Sequence, residues 1–102
     1  MRQVRYSVTF ARQLNVLLAQ SEPKFGARVI EKKRDLVLAT VENTLAAFSK
    51  RELDSTLVLY VYAIRKTPFV VAYDFDDVEL RVFFLLHGGQ DRSEIDPAAV
   101  EW

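Results

Sequence analysis

His87 is the chain's single histidine, and it sits in the stretch LLHGGQDR, against a Gly-Gly pair. An imidazole with Glu79 and Asp91 nearby has the residue types for general acid–base work. Such work needs a nucleophile on a defined approach. No serine offers one here, and cysteine is absent from the chain. The structural role is therefore the expected one: His87 ends a strand and hydrogen-bonds within a turn permitted by Gly88 and Gly89. Asp91 and Arg92 are placed to form a local pair. With one histidine and no thiolate, any transition-metal centre would be mostly carboxylate, so neither a metal nor a cofactor is expected.

Composition narrows the remaining classes. The 102 residues are half hydrophobic, enough for one domain with its own core and no disulfide. Fourteen Lys plus Arg balance fourteen Asp plus Glu. No global positive field draws the protein onto phosphate backbones, and sequence-specific nucleic-acid binding is not expected. The local basic run EKKRD, residues 31–35, has acidic flanks that mark it as a solvated helix face. The opening MRQVRYSVTF carries scattered charge, so neither a signal peptide nor a membrane span is readable, and a cytoplasmic location is expected.

The periodicities that must position these residues change twice along the chain. Val4, Tyr6, Val8 and Phe10 alternate with polar residues, which predicts a first strand. Leu14, Leu17 and Leu18 then take helical spacing, a short first helix. From Pro23, a residue suited to a first helical turn, Ile30, Val37, Val41, Leu45 and Phe48 recur at helical intervals and predict one long amphipathic helix over 23–48. SKRELDS, residues 49–55, reads as a linker. Residues 56–89 are rich in β-branched and aromatic side chains, punctuated near Pro68, Asp76 and Gly88-Gly89, and fit three hairpin-linked strands. There are no internal repeats. The order predicts an α+β fold: an N-terminal strand, then a two-helix hairpin packed on one face of a mostly antiparallel, twisted β-sheet.

In the last strand, Leu80, Val82, Phe84 and Leu86 are assigned to the core face, with Glu79, Arg81, Phe83, Leu85 and His87 opposite. Tyr60, Tyr62, Ile64, Phe69, Val71 and Tyr73 join the core face. The other side then carries Val61, Ala63, Arg65, Val70, Ala72, Asp74, Arg81 and Phe83. Two helices cover only one side, so this second face is too apolar to be left in water without a reason. Either another protein docks on it, or the C-terminal tail ending in Trp102 folds back over it. Arg65 and Arg81 have two roles open as well: bidentate bonds to a partner's carboxylates, or cross-strand pairing with Glu79 and Asp74.

The succession YSVTF, a helical hairpin, YVYAIRKTPFVVAYDF and LRVFFLLHGGQDRSEID resembles the RelE/ParE superfamily of type II toxin–antitoxin toxins over nearly the whole chain. The final strand running into His87-Gly88-Gly89-Gln90-Asp91 is similar to the ParE-like branch. That resemblance implies a single ParE-like toxin domain over residues 1–102. It implies a cognate antitoxin as partner, a hetero-oligomer with it, and DNA gyrase as a target inhibited by binding. RelE-like relatives are instead ribosome-dependent messenger-RNA endonucleases. Aligned to their pattern, Val61 and Ala63 stand where catalytic lysines would, Val70 and Gln90 where arginines would, and Asp96 where a tyrosine would. No catalytic residue is therefore assigned. The partner-binding set is Val61, Ala63, Arg65, Val70, Ala72, Arg81 and Phe83. The alternatives carried are a divergent ribonuclease using Arg65, Arg81, His87 and Arg92, and a non-toxic degenerate relative.

Overall fold

The computed structural model describes residues 2–47 and 53–102. Its elements are β1 (Gln3–Tyr6), α1 (Val8–Phe25), α2 (Ala27–Ala39) ending in a π-helical turn (Thr40–Leu45), β2 (Leu53–Asp54), β3 (Leu59–Ala63), β4 (Phe69–Phe75), β5 (Glu79–His87) and a 3-10 turn (Pro97–Ala99). The five strands form one sheet in the order β1-β5-β4-β3-β2. The pairs β2–β3, β3–β4 and β4–β5 are antiparallel, and β1 lies parallel to β5 at the edge. Phe48, assigned to the long helix, and most of the SKRELDS linker lie outside the described residues. Two of its last three residues, Leu53 and Asp54, form the short edge strand β2.

The first strand is shorter than its alternation predicts. Ser7 adopts an extended conformation and its hydroxyl accepts the Phe10 N–H at 2.8 Å, so the chain enters α1 there and Val8 and Phe10 become helical. The same buried hydroxyl donates to the Phe83 carbonyl at 2.7 Å, which ties the helix start to β5. In α1 the buried residues Phe10, Leu14 and Leu18 follow at intervals of four, one stripe facing the sheet.

The break between the helices falls at Gly26 and not before Pro23. Pro23 lies in the last turn of α1, where its missing N–H costs one hydrogen bond near a terminus. Gly26 takes φ 80 and ψ 162, a combination open essentially to glycine alone, and its N–H closes α1 on the Glu22 carbonyl at 2.8 Å. The helices fold back on one another, and Ile30, Val37, Val41 and Leu45 join Leu14 and Leu18 over the sheet.

The sheet side of this core is Ile64, Phe69, Val71, Tyr73, Leu80, Val82 and Leu85, with Tyr60 and Tyr62 at its margin. Strict alternation along β5 fails. Tyr73 pairs with Val82 and Ala72 with Phe84, which leaves Phe83 as an extra residue, a β-bulge. The bulge reverses the faces beyond it. Leu85 points to the helices, while Phe84 and Leu86, expected in that core, belong to a second cluster on the opposite side.

A Cβ at Gly26 would meet nothing within 4 Å, so its cost is backbone strain alone; at Gly88 it would make ordinary contact with the Pro68 carbonyl at 3.5 Å without a positive φ. Gly26→Ala is expected to lower unfolding free energy by about 1–3 kcal/mol, and Gly88→Ala to change it by less than about 0.5 kcal/mol, both read from urea unfolding midpoints.

Candidate functional site

The second face of the sheet is a cluster of Leu57, Leu59, Val61, Val70, Ala72, Phe84 and Leu86, with Phe83 at its edge. Alternation in β3 and β4 aims Val61, Val70 and Ala72 this way, and the β5 bulge adds two further aromatic and aliphatic side chains. The cluster is not open to water. Val61 and Val70 are each 8% exposed and Ala72 is fully buried. Of the two coverings open to this face, the structure shows the self-made one. Residues 93–102 run back over it and lay Ile95 and Val100 on the cluster.

The tail is fixed at its two ends. At its entry, Arg92 bonds Asp54 at 2.5 Å and does not pair with Asp91, which instead accepts the Ser93 N–H at 2.9 Å. Asp54 also accepts the N–H groups of Thr56 and Leu57, so one carboxylate holds both the β2–β3 turn and the tail; Arg92 and these donors keep it below the usual carboxylate range. At the far end the Glu101 carbonyl accepts the Val8 N–H at 2.7 Å, and the Glu101 N–H donates to the Thr9 hydroxyl at 3.0 Å. Trp102 meets the Phe83 ring edge-on with centroids 4.9 Å apart, and the Arg5 guanidinium lies 4.9 Å from the same indole.

The expected partner-binding residues separate into three groups. Val61, Val70, Ala72 and Phe83 come together in this cluster. Ala63 and Arg65 are exposed, at the end of β3 and in the turn that follows. Arg81 takes the intramolecular role. Its Nε bonds Asp74 at 2.6 Å, and its Nη1 reaches both Asp76 and Glu79 at 3.1 Å. These carboxylates, Asp76 foremost, hold the guanidinium pKa up. Asp76 is itself held down to about 2, chiefly because it accepts the N–H groups of Glu79 and Val78 at the β4–β5 turn, and then by Arg81.

His87 behaves as a turn residue. It ends β5, its Nδ1 accepts the Gly89 N–H at 3.3 Å, and its carbonyl accepts the Gln90 N–H at 3.0 Å. The turn does not draw on glycine's special freedom, because neither Gly88 nor Gly89 has a positive φ. Arg81 and Arg92, two members of the rearranged nuclease set, are committed to carboxylates. A depression of about 240 Å³ lies elsewhere, between the ends of the helices, lined by Glu22, Ala27, Ile30, Glu31 and Arg34. It brings together no nucleophile and base.

Several residues of the site were not singled out from the sequence. Leu57 and Leu59 continue the alternation of Val61 backwards and were legible in that pattern. Ile95 and Val100 sit in an irregular segment with no period to betray them.

No protein-family model matches this sequence, and no curated protein matches it. In three dimensions the chain is similar to a solved structure described as the chromosomal ParDE TA system from P. aeruginosa. The TM-score is 0.74 at 11% identity, covering 85% of this chain and 96% of that one. The chain therefore has a ParE-like fold. Among the described residues no helix is long and apolar enough to cross a membrane.

Because Asp76 is depressed on folding, its contribution is fully present above about pH 4 and disappears as the pH falls toward about 2. Asp76→Asn still accepts the turn N–H groups but loses the ion pair with Arg81. Its thermal midpoint is expected to fall less steeply than that of wild type over this acid range.

Proposed function

We propose that this chain is the toxin of a type II toxin–antitoxin module, neutralised by a cognate antitoxin protein and acting on DNA gyrase by binding rather than by covalent chemistry. The single observation that carries the reading is the ParE-like fold joined to a second apolar sheet face with no catalytic set on it. Messenger-RNA cleavage would require uncommitted cations to stabilise developing charge beside a group that moves the 2′-hydroxyl proton. On the second face the corresponding positions are Val61, Ala63 and Val70. Arg81 and Arg92 are held by acidic neighbours, and His87 is spent on its turn.

The partner-contacting residues in this reading, Val61, Val70, Ala72 and Phe83, lie beneath residues 93–102 and become available only when that tail is displaced, with Ala63 and Arg65 flanking them in the open and Arg81 paired to Asp74, Asp76 and Glu79. Apolar centres ringed by polar groups suit protein recognition, where a few anchoring aromatics supply most of the affinity. Phe83 is the candidate anchor.

Inducing the chain in a bacterial host is expected to arrest growth, break DNA in a gyrase-dependent manner and switch on the DNA-damage response while transcripts stay whole. Co-expression of the gene adjoining its own should relieve the arrest. Phe83→Ala should weaken the purified complex with that gene product by roughly tenfold or more. Cleaved messenger RNA on translating ribosomes, lost on replacing His87 or Arg81 with alanine, would establish the ribonuclease in its place.

A further inference from the structure

A single residue joins α1 to α2. Gly26 is the C-cap of the first helix and the N-cap of the second, so the chain reverses without a loop. Its hydrogen bonds are already those of an uninterrupted helix. The Gly26 N–H donates to the Glu22 carbonyl at 2.8 Å, four residues back, and its carbonyl accepts the Ile30 N–H at 3.3 Å, four residues on. Only the backbone angles, φ 80 and ψ 162, break the helix. No side chain caps α2, and among the described hydrogen bonds the N–H groups of Ala27, Arg28 and Val29 find no protein acceptor. With Gly26 helical, those three would bond the Pro23, Lys24 and Phe25 carbonyls.

What precedes the hinge is a detachable arm. β1 is outermost in the sheet and pairs with β5, so it withdraws without disturbing the order of the other strands. Phe10, Leu14 and Leu18 bury against the sheet, the Ser7 hydroxyl donates to the Phe83 carbonyl, and the Gln13 side-chain oxygen accepts the Leu85 N–H. Across the hairpin Arg34 Nη2 donates to Asn15 Oδ1 at 3.2 Å, and at the tail Glu101 holds Val8 and Thr9. Each of these contacts joins the arm to residues beyond Gly26.

We propose that Gly26 is the hinge of a domain-swapped dimer, in which α1 and α2 run on as one helix from Val8 to Leu45 and the β1–α1 arm of each copy takes the place of the arm in the other. The occupant of each vacated edge is the identical segment of a second copy, so every contact named above is remade. Each chain also gains the three hydrogen bonds missing at its hinge. Pro23 is no obstacle, being accommodated inside α1 already. Opposing the exchange is the entropy lost on association, so the hairpin prevails in dilute solution and the exchanged form in concentrated solution. The joined helix is roughly 55 Å long at its 1.5 Å rise per residue and carries the two sheets toward opposite ends. The exchange involves copies of this chain alone and stands whether or not the protein is a toxin.

The test is refolding from urea over a series of protein concentrations, with mass read by size-exclusion chromatography and light scattering. Gly26→Ala disfavours the hairpin angles and favours the helix, so its dimer dissociation constant is expected at least roughly tenfold below that of wild type. Inserting Gly-Ser-Gly-Ser after Gly26 gives the reversal a relaxed loop and should leave only monomer. Because the chain has no cysteine, engineered thiols separate exchange from side-by-side association. Chains carrying Asn15→Cys and chains carrying Arg34→Cys are refolded together and treated with a short bis-maleimide. Exchange sets these two positions against each other across chains, and the interchain product should rise with protein concentration and rise further with Gly26→Ala. A folded Gly26→Ala protein that stays monomeric at every concentration would overturn the proposal. So would a dimer without the interchain product when a chain carrying both substitutions cross-links within itself. Should Gly26→Ala fail to fold, the mixture of single-cysteine chains with Gly26 intact decides alone, and absence of its interchain product at the highest concentration overturns the exchange.

Discussion

A sheet that is apolar on both faces must be covered twice, and this chain has only one layer of helices to do it. Phe10, Leu14, Leu18, Ile30, Val37, Val41 and Leu45 close one side with helical structure. The other side carries a comparable set, Leu57, Leu59, Val61, Val70, Ala72, Phe84 and Leu86, and is closed by ten residues with a single 3-10 turn between them. Burying such a surface is favourable whatever covers it, since the hydrophobic effect is non-directional and scales with area removed from water. What the tail lacks is the directional part, the ladder of hydrogen bonds that would make the covering permanent. The asymmetry between a fixed lid of helices and a clipped strap is the feature from which the functional reading grows.

The amount of this that the sequence carried differs from element to element. Where a period ran unbroken it could be read: the helical stripe from Ile30 to Leu45, and the alternation of Tyr60, Tyr62 and Ile64 against Val61, were all placed on the correct sides. The misreadings fall at single residues with two possible roles. Ser7 fits the polar side of an alternating run, yet its hydroxyl is a helix cap, and Val8 and Phe10 satisfy the strand pattern and the helix start equally well. Pro23 suits the first turn of one helix or the last turn of another, and Gly26 decides between them through its backbone angles. At Phe83 one extra residue shifts the period of β5, and four consecutive apolar residues, Phe83 to Leu86, hide the place where the faces exchange.

The site was less legible than the fold for a related reason. Charge is readable as composition, whereas its pairing is readable only in part. The pairing of Arg81 with Asp74 and Glu79 follows from alternation, whereas the contribution of Asp76 depends on the turn geometry. Arg92 lies beside Asp91 in sequence and takes Asp54, 38 residues away, because the tail doubles back past the β2–β3 turn. These pairings bear on chemistry. A guanidinium already satisfied by carboxylates is a poor stabiliser of a transition state.

The central claim is that the tail closes a face which would otherwise be open and adhesive. It is tested most directly by ending the chain after Arg92 and measuring the binding of the dye ANS alongside sedimentation, with far-ultraviolet circular dichroism to confirm that the sheet and helices persist. The account predicts a folded protein with strongly raised dye fluorescence and concentration-dependent self-association. Dye binding and sedimentation unchanged from the full-length chain would contradict it.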